Sequence, residues 1–188
     1  SNYQVLIDIL LNKMDGKMNN LISVVVTCYN HEKYIEQCLR SVFNQTYTNI
    51  ELIVLDDGST DSSTQIIQEV LKDSPFETRF ETHENLGVVK NRNLGLELIR
   101  GDYLLFVDSD NYLDADYVEQ LYSKLTETNA DIAYCDLFNP EKEEFYLKSR
   151  EFDLTAFLNA SFIDNCSLIR RSIIGNTRYD EKLNRKKL

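Results

Sequence analysis

A chain of 188 residues with 43% apolar and 27% charged side chains has the composition of a single globular domain with a sizeable core, which excludes a disordered or low-complexity architecture. A formal net charge of −11 excludes a broad nucleic-acid footprint, which needs a basic face, and makes an anionic ligand awkward unless a metal ion or local cations offset the field. Cys28, Cys38, Cys135 and Cys166 lie far apart with no Cys-x-x-Cys pair, so neither a zinc site nor a disulfide framework is expected, and a reducing compartment fits better.

The chain opens on Val5-Leu6-Ile7-Asp8-Ile9-Leu10-Leu11, a run broken by Asp8 with no basic region ahead of it and no small-residue cleavage site. It reads as a short amphipathic helix closing near Gly16, in a leader over 1–20, and not as a signal peptide. No apolar run approaches the roughly 18 residues of a membrane span. The domain proper, 21–188, begins with the β-branched run Leu21 to Thr27, the first buried strand, which ends in Cys28-Tyr29-Asn30-His31-Glu32. Tyr34, Ile35, Cys38, Leu39, Val42 and Phe43 then recur at helical spacing, and Cys28 and Cys38 fall within apolar patterns as buried free thiols.

A second strand, Ile50 to Leu55, delivers Asp56-Asp57-Gly58-Ser59-Thr60-Asp61, a turn in which Gly58 can take positive φ and Asp61 can cap the helix carrying Ile66, Ile67, Val70 and Leu71. A weaker strand lies near Arg79 to Thr82, followed by Asn85-Leu86-Gly87 and a helix through about Ile99, halted by Gly101. Tyr103-Leu104-Leu105-Phe106-Val107 is a continuous apolar run, the mark of a strand buried on both faces of a parallel sheet, and it ends in Asp108-Ser109-Asp110-Asn111. Spacing alone leaves two readings of these acids: a turn that caps the next helix, or oxygen ligands for a hard divalent cation holding phosphates.

Strands alternating with single helices predict right-handed βαβ units and a doubly wound sheet. Three strand ends then bring polar clusters to the carboxyl edge, where open α/β sheets bind ligands, and that convergence favours a site over a set of turns. Beyond it, a helix carries Tyr117, Val118, Leu121, Tyr122 and Leu125, and a fifth strand is expected at Asp131 to Cys135, with Asp136 finishing it. Glu141 to Glu144 is a solvated charge run, Phe145 to Leu147 an edge strand, and Leu154, Phe157 and Leu158 suggest a short helix. Arg170-Arg171 is either solvated surface or an element near the phosphate or acceptor end of the site. His31 and His83 are expected to be solvent-facing loop residues.

Taken together, Val24-Val25-Val26-Thr27-Cys28-Tyr29-Asn30 with Tyr34-Ile35, Ile53 through Asp61, Asn85-Leu86-Gly87 leading to Asn91-Arg92-Asn93, and Gly101-Asp102-Tyr103 through Asp110 resemble family-two glycosyltransferases of the GT-A fold. The resemblance runs from Leu21 to Asp136 and continues more loosely through Cys166 to Arg171 and Tyr179 to Leu183. It implies a Rossmann-like α/β fold, a mostly parallel sheet with helices on both faces, and inverting transfer of a sugar from a nucleotide diphosphate to an acceptor hydroxyl with Mg²⁺ or Mn²⁺. A UDP-sugar donor and a glycan or lipid-linked acceptor follow from it, as does cell-surface polysaccharide synthesis.

Carried over to this chain, Thr27 and Tyr29 frame the nucleobase with Glu32 in the same pocket, and Asp57 accepts a hydrogen bond from the base. Lys90 and Arg92 lie beside the nucleotide, Asp108 holds the ribose hydroxyls, and Asp110 reaches the metal. Cys28, Asp56, Gly87 and Ser109 complete the expected substrate-binding set. No residue matches the family's general base, which is expected beyond Leu188; the alternative is a catalytically incomplete or degenerate nucleotide-binding module. Cytoplasmic action at the inner face of the membrane, with peripheral association through parts outside this stretch, is the expected setting.

Overall fold

The computed structural model describes residues 20–139, 142–148, 150–153 and 164–183. The expected leader helix and the helix expected around Leu154 to Leu158 lie outside them. Four β–α steps come in the predicted order: β1 (Ile22–Cys28), α1 (Ile35–Phe43), β2 (Ile50–Asp56), α2 (Ser63–Val70), β3 (Glu77–Thr82), α3 (Val88–Leu98), β4 (Tyr103–Asp108) and α4 (Tyr117–Glu127). There follow β5 (Ile132–Ala133), β6 (Leu137–Asn139), β7 (Glu144–Leu147), β8 (Leu168–Arg170) and α5 (Arg171–Ile174).

β1, β2 and β4 are buried nearly throughout, as continuous apolar runs require, while β3 alternates in exposure because it is the sheet's edge. The main sheet has the order β3-β2-β1-β4-β8-β5, with β3, β2, β1 and β4 parallel and β8 antiparallel to both its neighbours. Side chains alternate across the strands, so each strand feeds two cores. Val24, Val26, Leu105 and Val107 pack with Ile35, Leu39, Ile67, Val118 and Leu121, which sets α1, α2 and α4 on one face. Val25, Ile53, Leu55, Leu104 and Phe106 pack with Leu94 and Leu98 of α3 on the other. Helices thus cover both faces of a mostly parallel sheet, as expected. Among the described residues no helix is long and apolar enough to cross a membrane.

Two expectations need correction. The fifth strand is only Ile132–Ala133, because its partner is the short, late β8 and not the long β4; Asp136 therefore stands beyond the strand. Phe145 to Leu147 is a strand, but it pairs with β6 in a separate two-stranded ribbon.

The amino end of the sheet is tied by one buried carboxylate. Glu51, 4% exposed on β2, accepts hydrogen bonds from Ser23 Oγ, from Arg100 N and Nε at 2.6 Å each, and from Gly101 N at 3.1 Å. Burial alone raises the pKa of such a group, but the hydrogen bonds from Ser23 and Arg100 outweigh it and hold the carboxyl below its ordinary range. A depressed pKa means stability that is fully present above the unfolded value of about 4.3 and is lost as pH falls through the folded value. Replacing Glu51 by Ala takes the acceptor from Ser23 Oγ and Arg100 N, while Gly101 N keeps Ser23 Oγ at 2.9 Å, so urea unfolding at neutral pH should show a loss of about 2–3 kcal/mol. That difference from the parent should shrink below about pH 4; a gap that persists unchanged in acid would show that the Glu51 charge is not its source.

Candidate active site

Common register brings the strand ends level: Thr27 lies opposite both Leu55 and Asp108, and Cys28 opposite Asp56. The ladder runs one step further, with Asp57 N donating to Cys28 O at 2.8 Å and Ser109 N to Thr27 O at 3.1 Å. Past that point the loops diverge and leave a cleft of about 360 Å³. Thr27, Cys28, Tyr29, Asp57, Gly87, Arg92, Asp108 and Asp110 line it, as does a second group that the sequence did not point to: His31, Asn85, Val88 and Asn91.

The acids are differently employed. Asp56 is fully buried; it accepts from Ser59 N and Oγ, from Thr64 Oγ1 at 2.6 Å and from Thr82 Oγ1 at 3.2 Å, so it anchors the turn and stays out of the cleft wall. Asp57 accepts from Leu86 N at 2.7 Å and Gly87 N at 3.0 Å, which fastens the loop before α3 onto the loop after β2. These loops meet backbone to backbone. Gly58 has φ +74°, and a Cβ there would lie 2.7 Å from Asn85 N and 2.9 Å from His83 O.

Asp108 is paired on one side with Arg92, whose Nη2 donates to both carboxylate oxygens at 2.9 and 3.1 Å, and on the other with Thr27 Oγ1 at 3.1 Å. Arg92 is only 14% exposed and lies 6.0 Å from the Tyr179 ring centre. The segment bearing Tyr179 is held to α3 by Asn93, which gives one amide hydrogen bond to Tyr179 O and takes another from Tyr179 N. Asp110, by contrast, is exposed and makes no hydrogen bond among the described residues. Buried polar atoms without partners are rare in folded proteins, and both found among the described residues, Asn85 Oδ1 and Arg92 Nε, belong to residues of this cleft.

Besides Asp56, three expected residues fall outside the wall. Glu32 turns to accept from Ser62 N at 2.9 Å, while Asp61 accepts from Glu32 N and Ser63 N, so both carboxylates serve the start of α2. Lys90 points outward, 3.9 Å from Glu181. Ser109 is buried behind the wall, its Oγ 2.7 Å from His31 Nδ1. His31 and His83 are correspondingly not solvent-facing. The His83 ring is 19% exposed, 3.6 Å from Asp57, with Nε2 3.2 Å from Asn91 Oδ1.

Arg170 sits opposite Tyr103, at the amino end of β4, because β8 runs antiparallel; it lines a separate hollow with Arg171, remote from the acids. Burial pushes the Cys28 thiol up, against hydrogen bonds to Ser109 and Ser63, and carries Cys166 to about 12. All four cysteines are free, and these buried thiols stay protonated at neutral pH, which removes them as nucleophiles.

The family model for glycosyl transferase family 2 matches residues 23–184. The chain belongs to glycosyltransferase family 2. Glycosyltransferase GlyA of Streptococcus pneumoniae is 37% identical over 152 residues, 79% of this chain and 22% of its own length. The teichoic acid poly(glycerol phosphate) polymerase of Staphylococcus epidermidis is 31% identical over 178 residues, 88% of this chain and 24% of its own. Among solved structures, S. aureus TarS 1-349 in complex with UDP matches with a TM-score of 0.69 at 25% identity, covering 87% of this chain and 51% of that one. This family-2 chain therefore spans about a quarter to a half of the length of these relatives.

Gly58 tests the loop contact in this family-2 site. Gly58→Ala forces a side chain into a left-handed conformation against backbone atoms, and a stability loss of about 2 kcal/mol is expected from chemical unfolding. A variant as stable as the parent would show that the two loops separate without cost.

Proposed function

We propose that this protein transfers a sugar from a nucleotide diphosphate donor, a UDP-sugar, to a hydroxyl of a glycan or lipid-linked acceptor with inversion, in the building of a cell-surface polymer. The observation that carries the proposal is the gathering of Thr27, Tyr29, Asp57, Arg92, Asp108 and Asp110 around one cleft at the carboxyl edge of the sheet. The UDP assignment draws support from the TarS complex with UDP, and the polymer from the name of the staphylococcal polymerase. Work on the cytoplasmic side suits four free thiols.

In this scheme Tyr29 lies against the base and Thr27 borders it. Asp57 keeps the Asn85 to Gly87 turn in place, so the base meets that turn as well as the Asp57 carboxylate. Arg92 fixes Asp108 for the ribose hydroxyls, two charge-assisted contacts that hold one carboxylate orientation before the donor arrives. Asp110 has the properties of a ligand to Mg²⁺ or Mn²⁺: it is exposed at the cleft, with its oxygens unengaged. Among the described residues no cluster of three or more His, Cys, Asp or Glu stands ready to hold an ion. This fits a cation bound through one carboxylate and completed by phosphate oxygens and water. When bound, the ion supplies Lewis-acid stabilisation of charge developing on the departing diphosphate. The residue that deprotonates the acceptor is not assigned.

Calorimetry with UDP, with and without Mn²⁺, tests this assignment. The parent should bind more tightly with metal, and Asp110→Ala should lose that gain, by tenfold or more, while keeping its metal-free affinity. Undiminished metal-dependent affinity in the variant would remove Asp110 from the role. Release of free sugar from a UDP-sugar panel then reports whether the bound donor is activated.

A further inference from the structure

A nucleoside diphosphate entering this cleft brings several negative charges to a wall that already holds Asp57, Asp108 and Asp110. Of the residues lining it, only Arg92 and His31 have side chains able to carry positive charge. The Arg92 Nη2 is taken up by Asp108, at 2.9 and 3.1 Å from its two oxygens. His31 is otherwise placed. Its N–H donates to Ser63 Oγ at 3.0 Å, its carbonyl accepts from Tyr34 N and Ile35 N at 3.0 Å each, and its Nδ1 is 2.7 Å from Ser109 Oγ.

The ring is thus fixed from both its backbone and one nitrogen, and Nε2 makes no hydrogen bond among the described residues. The 2.7 Å contact suits either direction; a Ser109 hydroxyl that donates to Nδ1 leaves Nε2 as the ring's N–H, the arrangement on which the diphosphate contact depends. Ser109 is 1% exposed and stands between the two acids, so the ring is tied to the segment where the metal and diphosphate would meet.

We infer that His31 is a donor-binding residue that presents Nε2–H to an oxygen of the donor's diphosphate, with Ser109 as the positioning residue that sets the ring's tautomer and direction. This rests on the nucleotide-diphosphate donor proposed above. Its chemistry is hydrogen-bond donation to an anion, which strengthens when the acceptor is charged.

Competition calorimetry with UDP and with uridine, in Mg²⁺, separates this inference from the reading it rests on. His31→Ala should weaken UDP tenfold or more while changing uridine less than twofold. His31→Gln, whose amide nitrogen reaches about the Nε2 position, should recover part of the loss, and Ser109→Ala should weaken UDP by a smaller factor with uridine unchanged. Thermal midpoints within a few degrees of the parent establish that the variants fold. Full UDP affinity in His31→Ala, or equal losses for UDP and uridine, would overturn the diphosphate contact while leaving the donor site standing. A parent that binds neither ligand would overturn both.

Discussion

The shared register of β2, β1 and β4 is the constraint on which the rest depends. Side chains alternate between the two faces, so a one-residue slip would move every side chain of a strand from the core it fits into the other one. Thr27, Leu55 and Asp108 therefore arrive at one height with Asp56 one residue beyond, and the two backbone bonds that follow, Asp57 to Cys28 and Ser109 to Thr27, decide where the loops part. The cleft is the space opened by that parting. At the far end Glu51 performs the complementary task, joining β1, β2 and the entry to β4 through a single carboxylate.

The proposed anionic donor would enter an acidic protein, and most of the carboxylates around the cleft are already engaged by donors of the chain itself. Asp56 is consumed by three hydroxyls and an amide, Asp57 by two amides, and Asp108 by a guanidinium and a hydroxyl. Hydrogen bonds to charged groups contribute about 1.5–3 kcal/mol each, enough to hold such carboxylates in one orientation. Asp110 is left over. Its lack of partners among the described residues is informative because its neighbours have so many.

Much of this was legible in the residues. Continuous apolar runs at Val24 to Val26, Leu52 to Leu55 and Leu104 to Val107 report strands covered on both sides, and the polar clusters that follow them suggest the ligand edge. What escaped was set by contacts distant in sequence. α3 is legible from Gly87 and Gly101 at its ends, but it buries Asn91, Asn93 and Gly95 beside its leucines, so its apolar stripe is broken. Asn85 and Asn91 stand in the motifs that carry the resemblance, but nothing in their chemistry marks them as cleft-lining. His31 looked like a solvated loop residue because its partner, Ser109, lies at the end of another strand. For Arg170 and Arg171 the residues leave two readings open, solvated surface or the phosphate or acceptor end of the site, and the antiparallel β8 puts them at the edge away from the acids.

The position of β8 also bears on how the chain is made. β4 is complete at Asp108, but its outer neighbour is Leu168–Arg170, and β5 reaches the sheet only through that same strand. During synthesis from the amino terminus, β3, β2, β1 and β4 can assemble while one side of β4 still presents unpaired amides and carbonyls. Such an open edge is a template for pairing with other chains until the late strand emerges to close it. The nascent protein is therefore exposed to misassembly between the synthesis of its acid pair and that of Arg170, an interval in which the cleft-bearing half of the sheet is already built.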